Sequence, residues 1–255
     1  MAVTALADRL QTGSTTLTAW CGLPDPAVAA LLAREDFDAV TLDMQHGAVD
    51  LAATLRAIPL VLGAGKPAIA RIPVGEFATA SRLLDGGASA VIAPMINTIE
   101  DARRFGAFMK YPPVGERSWG PYAAVPLTGL TPADYFARAN GFSLGFAMVE
   151  TREALGILDR ILAEPGVDGI FVGPSDLSIA LSGGGGVDPM DAEVDRALDH
   201  VLQRTRAAGK LPAVFAHTGE RAAAFARMGF PLVAVETDTL LLRAGARAAL
   251  AAARG

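Results

Sequence analysis

The sequence predicts an α/β fold, a (β/α)8 barrel built from residues 1–255 as one domain, and three observations predict it. Short β-like runs alternate with longer helical patterns from end to end, the mark of parallel strands joined by crossover helices. Eight such alternations fit into 255 residues, and a closed barrel of this kind takes about 250. The turn after the first strand, Gly22-Leu23-Pro24-Asp25, lacks the glycine pattern that a dinucleotide-binding doubly wound sheet carries at that place.

In chain order, the first strand is expected at Leu17–Cys21 and a helix at Pro26–Arg34. The run FDAVTL gives a strand at Ala39–Leu42 and is followed by a helix at Leu51–Val61. KPAIA gives a strand at Ala68–Ile72, then a helix at Phe77–Asp85; a strand at Ala90–Pro94 leads to a helix at Ile99–Lys110. Tyr111–Thr131, rich in Pro, Gly and aromatic residues, is longer than a minimal barrel needs and reads as a loop that folds over the barrel or reaches a neighbour. GFAMV gives a strand at Phe146–Glu150 with a helix at Glu153–Leu162, and GIFV a strand at Gly169–Val172. The glycine run from Ser182 to Gly186 is a hinge or spacer before a helix at Asp191–Ala208. Strands at Ala213–Ala216 and Leu232–Glu236 precede helices at Glu220–Arg227 and Thr239–Ala253.

Composition narrows the function classes. Hydrophobic residues make up 51% and charged residues 19%, which supplies a large core and leaves no disordered signature. The net charge is −5, and the arginines are scattered along helical stretches, so no nucleic-acid surface is expected. Cys21 is the only cysteine, which precludes an intrachain disulfide and suits a reducing compartment. The first residues carry an early Asp and no sustained apolar region, so no signal peptide is expected, and no apolar run reaches about 18 residues; a soluble cytoplasmic protein without membrane contact is expected.

Four apolar runs end in residues that a buried strand does not tolerate. Asp43 and His46 follow the second strand, Arg71 ends the third, Glu150 ends the fifth, and Asp176 follows the sixth. All five fall at strand C-termini, where barrels of this class carry their active sites. Glu150 and Asp176 are hard oxygen donors from adjacent strands, suited to Mg²⁺ or Mn²⁺. The backbone at Gly173-Pro174-Ser175-Asp176 can offer amides to a carboxylate. Arg71 can stabilise a developing oxyanion, with a structural pairing to Asp43 or Glu150 as the alternative. Asp43 and His46 are spaced so that the carboxylate can orient the imidazole as a general base. His217 is expected to line the pocket and His200 to be exposed. A Schiff-base route needs a lysine on the active face. Lys66 and Lys210 precede strands, and Lys110 ends a helix.

At these residues the sequence resembles the HpcH/HpaI aldolase family. The stretches that carry the likeness are LDMQHGAVD (42–50), ARIPVGE (70–76), RLLDGGASAVIAPMINTIEDA (82–102), KYPPVGERSWG (110–120), MVETREALGILDRI (148–161), PGVDGIFVGPSDLSIALSG (165–183) and VAVETDTLLL (233–242). The resemblance implies a barrel of the phosphoenolpyruvate/pyruvate type and reversible cleavage of 4-hydroxy-2-oxoacids to pyruvate and an aldehyde. It implies Mg²⁺ or Mn²⁺, with Co²⁺ possible, held by Glu150 and Asp176 and chelated by pyruvate. It also implies that Arg71 stabilises the enolate, that Asp43 and His46 move protons at the aldol hydroxyl, and that Ser175 and Asp176 hold the carboxylate. Asp85 would reach across a subunit interface. The assembly would be a homo-hexamer, a trimer of dimers, with the last helix on a neighbouring barrel. The chain departs from the family at Gln45, where Glu is frequent, and at Met148, where a polar residue is expected. Met148, Phe215 and Trp119 would give the pocket apolar walls, which leaves the aldehyde open. Two other readings stand beside the aldolase: a lyase of the same superfamily acting on citryl-CoA-type or phosphoenolpyruvate-type substrates, and a non-catalytic 2-oxoacid-binding protein.

Overall fold

Eight parallel strands close into a barrel in sequence order: β1 (Thr16–Cys21), β2 (Ala39–Asp43), β3 (Ala68–Arg71), β4 (Ala90–Ala93), β5 (Leu144–Val149), β6 (Gly169–Val172), β7 (Leu211–Ala216) and β8 (Leu232–Thr237). The structure is a computed structural model and describes residues 2–255. Helix α1 (Ala2–Gln11) precedes β1, and α2 (Pro26–Leu32), α3 (Leu51–Gly63) and α4 (Phe77–Asp85) follow the first three strands. Between β4 and β5 lie α5 (Ile99–Met109), α6 (Ala124–Thr128) and α7 (Pro132–Phe142). Next come α8 (Arg152–Gly156), α9 (Leu158–Ala163), α10 (Pro174–Leu181), α11 (Ala192–Ala207), α12 (Gly219–Met228) and α13 (Asp238–Arg254).

The strand sequences read as continuous apolar runs because both faces are buried. Alternate residues divide between two clusters. Ile69, Ile92, Phe146, Met148, Phe171 and Ala234 face the barrel interior, while Val40, Ala70, Val91, Val149, Ile170 and Val214 face the helices. Helix starts are written in the sequence as capping residues. The side chains of Asp25, Asp50, Thr98, Thr131, Thr151, Asp191, Thr218 and Thr237 each accept a hydrogen bond from an amide in the turn after them, a contact that stabilises by about 1 kcal/mol each.

Several expectations are corrected. Helices α1, α6, α7 and α10 were not anticipated. The predicted helix at Glu153–Leu162 is two helices, broken where Ile157 leaves helical geometry (φ −116°, ψ 12°) just after Gly156, a weak helix former. The Tyr111–Thr131 segment does not cover the mouth of the barrel. It folds beneath the opposite end, where Tyr111 and Ala124 join the interior cluster together with Val3, Leu6 and Leu10 of α1.

Strand register decides which side chains meet at the barrel mouth. Asp43 pairs with Arg71 across β2 and β3, and Met148 with Phe171 across β5 and β6. Between β8 and β1 the pairing skips from Val235 opposite Ala19 to Thr237 opposite Trp20. Glu236 is the extra residue of this bulge and adopts the left-handed region at φ 49°.

Candidate active site

A cavity of about 220 Å³ opens at the C-terminal end of the barrel. One wall carries Asp43, His46 and Arg71, the centre carries Glu150 and Asp176, and the far wall carries Ser175, His217 and Thr237. Trp20, Met148, Phe171 and Phe215 supply the apolar surface between them.

Because β2 and β3 pair with Asp43 level with Arg71, both side chains leave their strands in the same direction. Arg71 donates from Nε to Asp43 Oδ1 at 2.8 Å and from Nη2 to Oδ2 at 2.7 Å. Trp20 adds its indole N–H to Asp43 Oδ2 at 3.2 Å, and the Arg71 guanidinium lies 4.9 Å from the Trp20 ring centre. Arg71 is 7% and Asp43 4% exposed, so this is a buried pair. Burial opposes ionisation of Asp43, but the hydrogen bonds and charge of Arg71, helped by Trp20 and the Gln45 amide, hold its carboxyl below the usual carboxylate range. The other amino group of the Arg71 fork, Nη1, has no partner among the described residues.

Asp43 and His46 do not form a side-chain dyad. Asp43 Oδ1 instead accepts from the backbone amides of Gln45 at 3.1 Å and His46 at 3.4 Å, because its remaining capacity goes to Arg71 and Trp20. The carboxylate therefore shapes the turn that carries His46 rather than orienting its ring. His46 itself stands exposed at the rim of the cavity. Gly47 is needed for close approach: a Cβ there would lie 2.7 Å from the Cα of Gly22 in the neighbouring loop.

Glu150 follows directly on β5 and is 1% exposed. Its Oε1 accepts from the amide of Met95 at 2.8 Å, and Met95 reaches that position in the left-handed region at φ 54°. Its Oε2 is buried without a partner. Burial pushes the Glu150 carboxyl up to about 7; the Met95 amide and Arg71 oppose the rise, and the charge of Asp176 adds to it. Gly173 faces this oxygen, and a Cβ on it would lie 2.5 Å from Oε2. Asp176 sits in the first turn of α10 with its carboxylate uncommitted to any described residue. The amides of Ser175 and Asp176, at the start of that helix, have no intrahelical acceptor.

On the far wall, Ser175 Oγ and His217 Nε2 lie 2.8 Å apart. Burial and then the charge of Arg221 lower the pKa of His217.

The structure thus brings together Asp43, His46, Arg71, Met148, Glu150, Gly173, Pro174, Ser175, Asp176, Phe215 and His217. It does not bring Trp119 or Asp85 to this cavity. Trp119 stacks with Tyr111, Tyr135 and Phe136 at the other end of the barrel, since its loop folds under and not over. Asp85, at the end of α4, accepts from Arg117 Nη2 at 2.7 Å on that same end. No lysine lines the cavity: Lys110 Nζ donates to Asn140, Ser143 and Asp168, and Lys210 Nζ to the carbonyls of Glu164 and Val167. Sequence reading missed Trp20, Phe171, Thr237 and Met95. Trp20 had a signal, as a large residue with a polar N–H one place from the end of the first strand; the other three had none.

Likenesses to known proteins extend over nearly the whole chain. A hydroxypyruvate/pyruvate aldolase of Rhizorhabdus wittichii is 39% identical over 243 residues, 95% of this chain and 95% of that protein. A 4-hydroxy-2-oxo-heptane-1,7-dioate aldolase of Klebsiella pneumoniae is 33% identical over 244 residues, 96% of this chain and 91% of that one. A crystal structure of an HpcH/HpaI aldolase/citrate lyase family protein from Burkholderia cenocepacia superposes with a TM-score of 0.87 at 28% identity, covering 99% of this chain and 100% of that chain. The profile of the HpcH/HpaI aldolase/citrate lyase family matches residues 17–244, and the chain belongs to that family.

Proposed function

We infer that this protein is a carbon–carbon lyase, a class II aldolase that reversibly cleaves 4-hydroxy-2-oxoacids to pyruvate, or a related 2-oxoacid, and an aldehyde. The observation that carries the reading is the unpartnered Oε2 of Glu150, buried in the cavity that Asp176 and Arg71 also line. An uncompensated carboxylate oxygen at that depth is costly unless a cation or a proton meets it. Glu150 and Asp176 fit a divalent cation: both are hard oxygen donors, and the missing Cβ of Gly173 leaves room beside Oε2. No cluster of three or more His, Cys, Asp or Glu side chains suited to a metal occurs among the described residues. Two carboxylates therefore favour an ion that keeps water or takes substrate oxygens, Mg²⁺ or Mn²⁺ before Co²⁺. When bound, the ion supplies the Lewis acidity that draws electrons from the bond to be broken.

The chain's own residues do the rest. The amides of Ser175 and Asp176 hold the carboxylate of the 2-oxoacid at the positive end of α10. Arg71 turns Nη1 toward the oxygen on which charge develops, with its plane fixed by Asp43 and Trp20. His46, at the rim, takes the proton from the C4 hydroxyl in cleavage and returns it in addition. Asp43 acts by positioning Arg71 and the His46 turn. We further propose that the protein is a homo-hexamer, a trimer of dimers, in which α13 packs on a neighbouring barrel and Asp85 faces the neighbour's site.

The test is pyruvate release from a panel of 4-hydroxy-2-oxoacids after EDTA treatment and after return of Mn²⁺ or Mg²⁺. Activity is expected to vanish and recover, Glu150→Ala and Asp176→Ala to abolish the recovery, and His46→Ala to slow cleavage more than it slows proton exchange at the pyruvate methyl in D₂O. Undiminished activity in EDTA would overturn the metal-dependent reading.

A further inference from the structure

Another buried carboxylate stands next to the cavity and has no part in the chemistry described so far. Asp238 follows Thr237, which lines the cavity, and opens α13, yet it is only 3% exposed. Its Oδ1 accepts from the amide of Thr239 at 2.8 Å, and no cation pairs with it among the described residues. The start of a helix favours a negative charge, but α13 already has its cap in Thr237. Asp238 spends its other oxygen outside its own helix. Oδ2 accepts from the amides of Gly22 at 3.0 Å and Leu23 at 2.8 Å, in the loop that leaves β1.

The end of the strand ladder explains why a side chain is used there. β1 pairs with β8 as far as Trp20 opposite Thr237, and with β2 as far as Cys21 opposite Leu42. Gly22 and Leu23 lie past both ends, and their amides still need an acceptor. The carboxylate continues, with a side chain, a connection that the backbone no longer makes.

From Gly22 the connection runs on to His46. The carbonyl of Gly22 accepts from the amide of Ala48 at 2.8 Å. Gly22 and Gly47 also meet backbone to backbone. A Cβ on Gly22 would lie 3.3 Å from the Cα of Gly47, and a Cβ on Gly47 would lie 2.7 Å from the Cα of Gly22. No side chain stands between them to absorb a shift. His46 therefore rides on a turn fastened on two sides: Asp43 Oδ1 takes the amides of Gln45 and His46, and Gly22 takes that of Ala48. The imidazole itself, exposed at the rim, bonds to no other side chain among the described residues. Its place is set by its backbone.

We propose that Asp238 is a positioning residue for His46, acting through the amides of Gly22 and Leu23 and the contact between Gly22 and Gly47. The proposal rests on the aldolase reading and on the proton transfer that this reading gives to His46. Asp238 touches neither substrate nor metal. It controls the distance between the imidazole and the C4 hydroxyl, where a displacement of about 1 Å changes the rate by up to about a hundredfold.

The experiment uses the Mn²⁺-loaded full chain and two readouts: kcat/KM for pyruvate release from 4-hydroxy-2-oxopentanoate, and exchange of the pyruvate methyl protons in D₂O. Asp238→Ala should lower the first about tenfold or more, while the exchange rate and the thermal shift given by Mn²⁺ stay at wild-type values. Asp238→Asn, whose amide oxygen can still accept both N–H groups, should recover most of the loss. Gly22→Ala leaves Asp238 intact but pushes against Gly47; it should show the same split, and it decides the matter if Asp238→Ala does not fold. In a His46→Ala background neither Asp238→Ala nor Gly22→Ala should cost more than about twofold, since no imidazole remains to be misplaced. Three results would overturn the proposal: unchanged cleavage in Asp238→Ala or Gly22→Ala, an equal fall of cleavage and exchange, or the full loss repeated in the His46→Ala background. An equal fall would make Asp238 a support for the barrel as a whole. With an active wild type these results sink this proposal alone, whereas a Mn²⁺-loaded wild type that neither releases pyruvate nor exchanges its methyl protons sinks the aldolase reading with it.

Discussion

Glu150 shows how a single side chain links stability to function. Its carboxyl, raised from 4.5 to about 7 by burial, binds a proton in the folded protein that the unfolded chain has already released. The sign comes from linkage: folded-state stability is full below the unfolded value, falls as pH rises toward about 7, and stays reduced above it. In metal-free protein the loss is on the order of 3 kcal/mol. Glu150→Gln should therefore melt at a higher temperature than the wild type at pH 8 in EDTA, with little advantage at pH 5, and should lose the thermal shift that Mn²⁺ gives the wild type. Equal melting of the two proteins at both pH values would contradict this. At this scale the sequence was informative wherever a charge ended an apolar run, because burial of Asp43, Arg71 and Glu150 is improbable without a purpose. It was silent on partners. Spacing alone suggested a bond between Asp43 and the His46 ring, but Arg71 and Trp20, distant in sequence, take that carboxylate instead.

Elements convert those residues into a geometry. Asp43 and Arg71 meet because β2 and β3 pair in one register, and a slip of one residue would turn one of them outward. The bulge at Glu236 resets β8 against β1 so that Thr237 comes level with Trp20 and both line the cavity. The turn from β6 into α10 is closely constrained, with Gly173 against Glu150 Oε2. Gly173→Ala is expected to weaken apparent Mn²⁺ affinity about tenfold or more while shifting the metal-free melting temperature only slightly, which a metal titration followed by thermal melting would read. Strand positions were legible because residues buried on both faces leave unbroken apolar runs. Helix α10 was not, because Gly173-Pro174-Ser175 reads as a turn and its proline is in fact the first helical residue. Helix α7 went unread because the Pro- and Gly-rich stretch before it suggested that the loop continued. It packs on α1, an element that carried no motif at all.

Over the whole molecule, α13 is the element this chain does not cover. Of its residues only Asp238 is buried, while Leu240, Leu242 and Leu250 are 44%, 66% and 51% exposed. Leu242 and Leu250 lie on neighbouring sides of this 17-residue helix and Leu240 on another, so the proposed packing on a neighbouring barrel would cover Leu242 and Leu250. Leu242→Asp combined with Leu250→Asp should convert an oligomer into a smaller species in sedimentation measurements, and an unchanged mass would remove α13 from the interface. The barrel was predictable at this scale from the alternation of elements, whereas the way its lower end is sealed, by α1, α6 and α7 around Tyr111 and Tyr135, depended on long-range packing that no local pattern encodes. That lower end also gathers the lysines. Lys110 and Lys210 spend their amines on carbonyls and Asp168, which leaves Lys66, just before β3, as the lysine without a side-chain partner among the described residues. Amine-directed coupling through Lys66 would accordingly grip the barrel by its base and leave the mouth turned toward the solution.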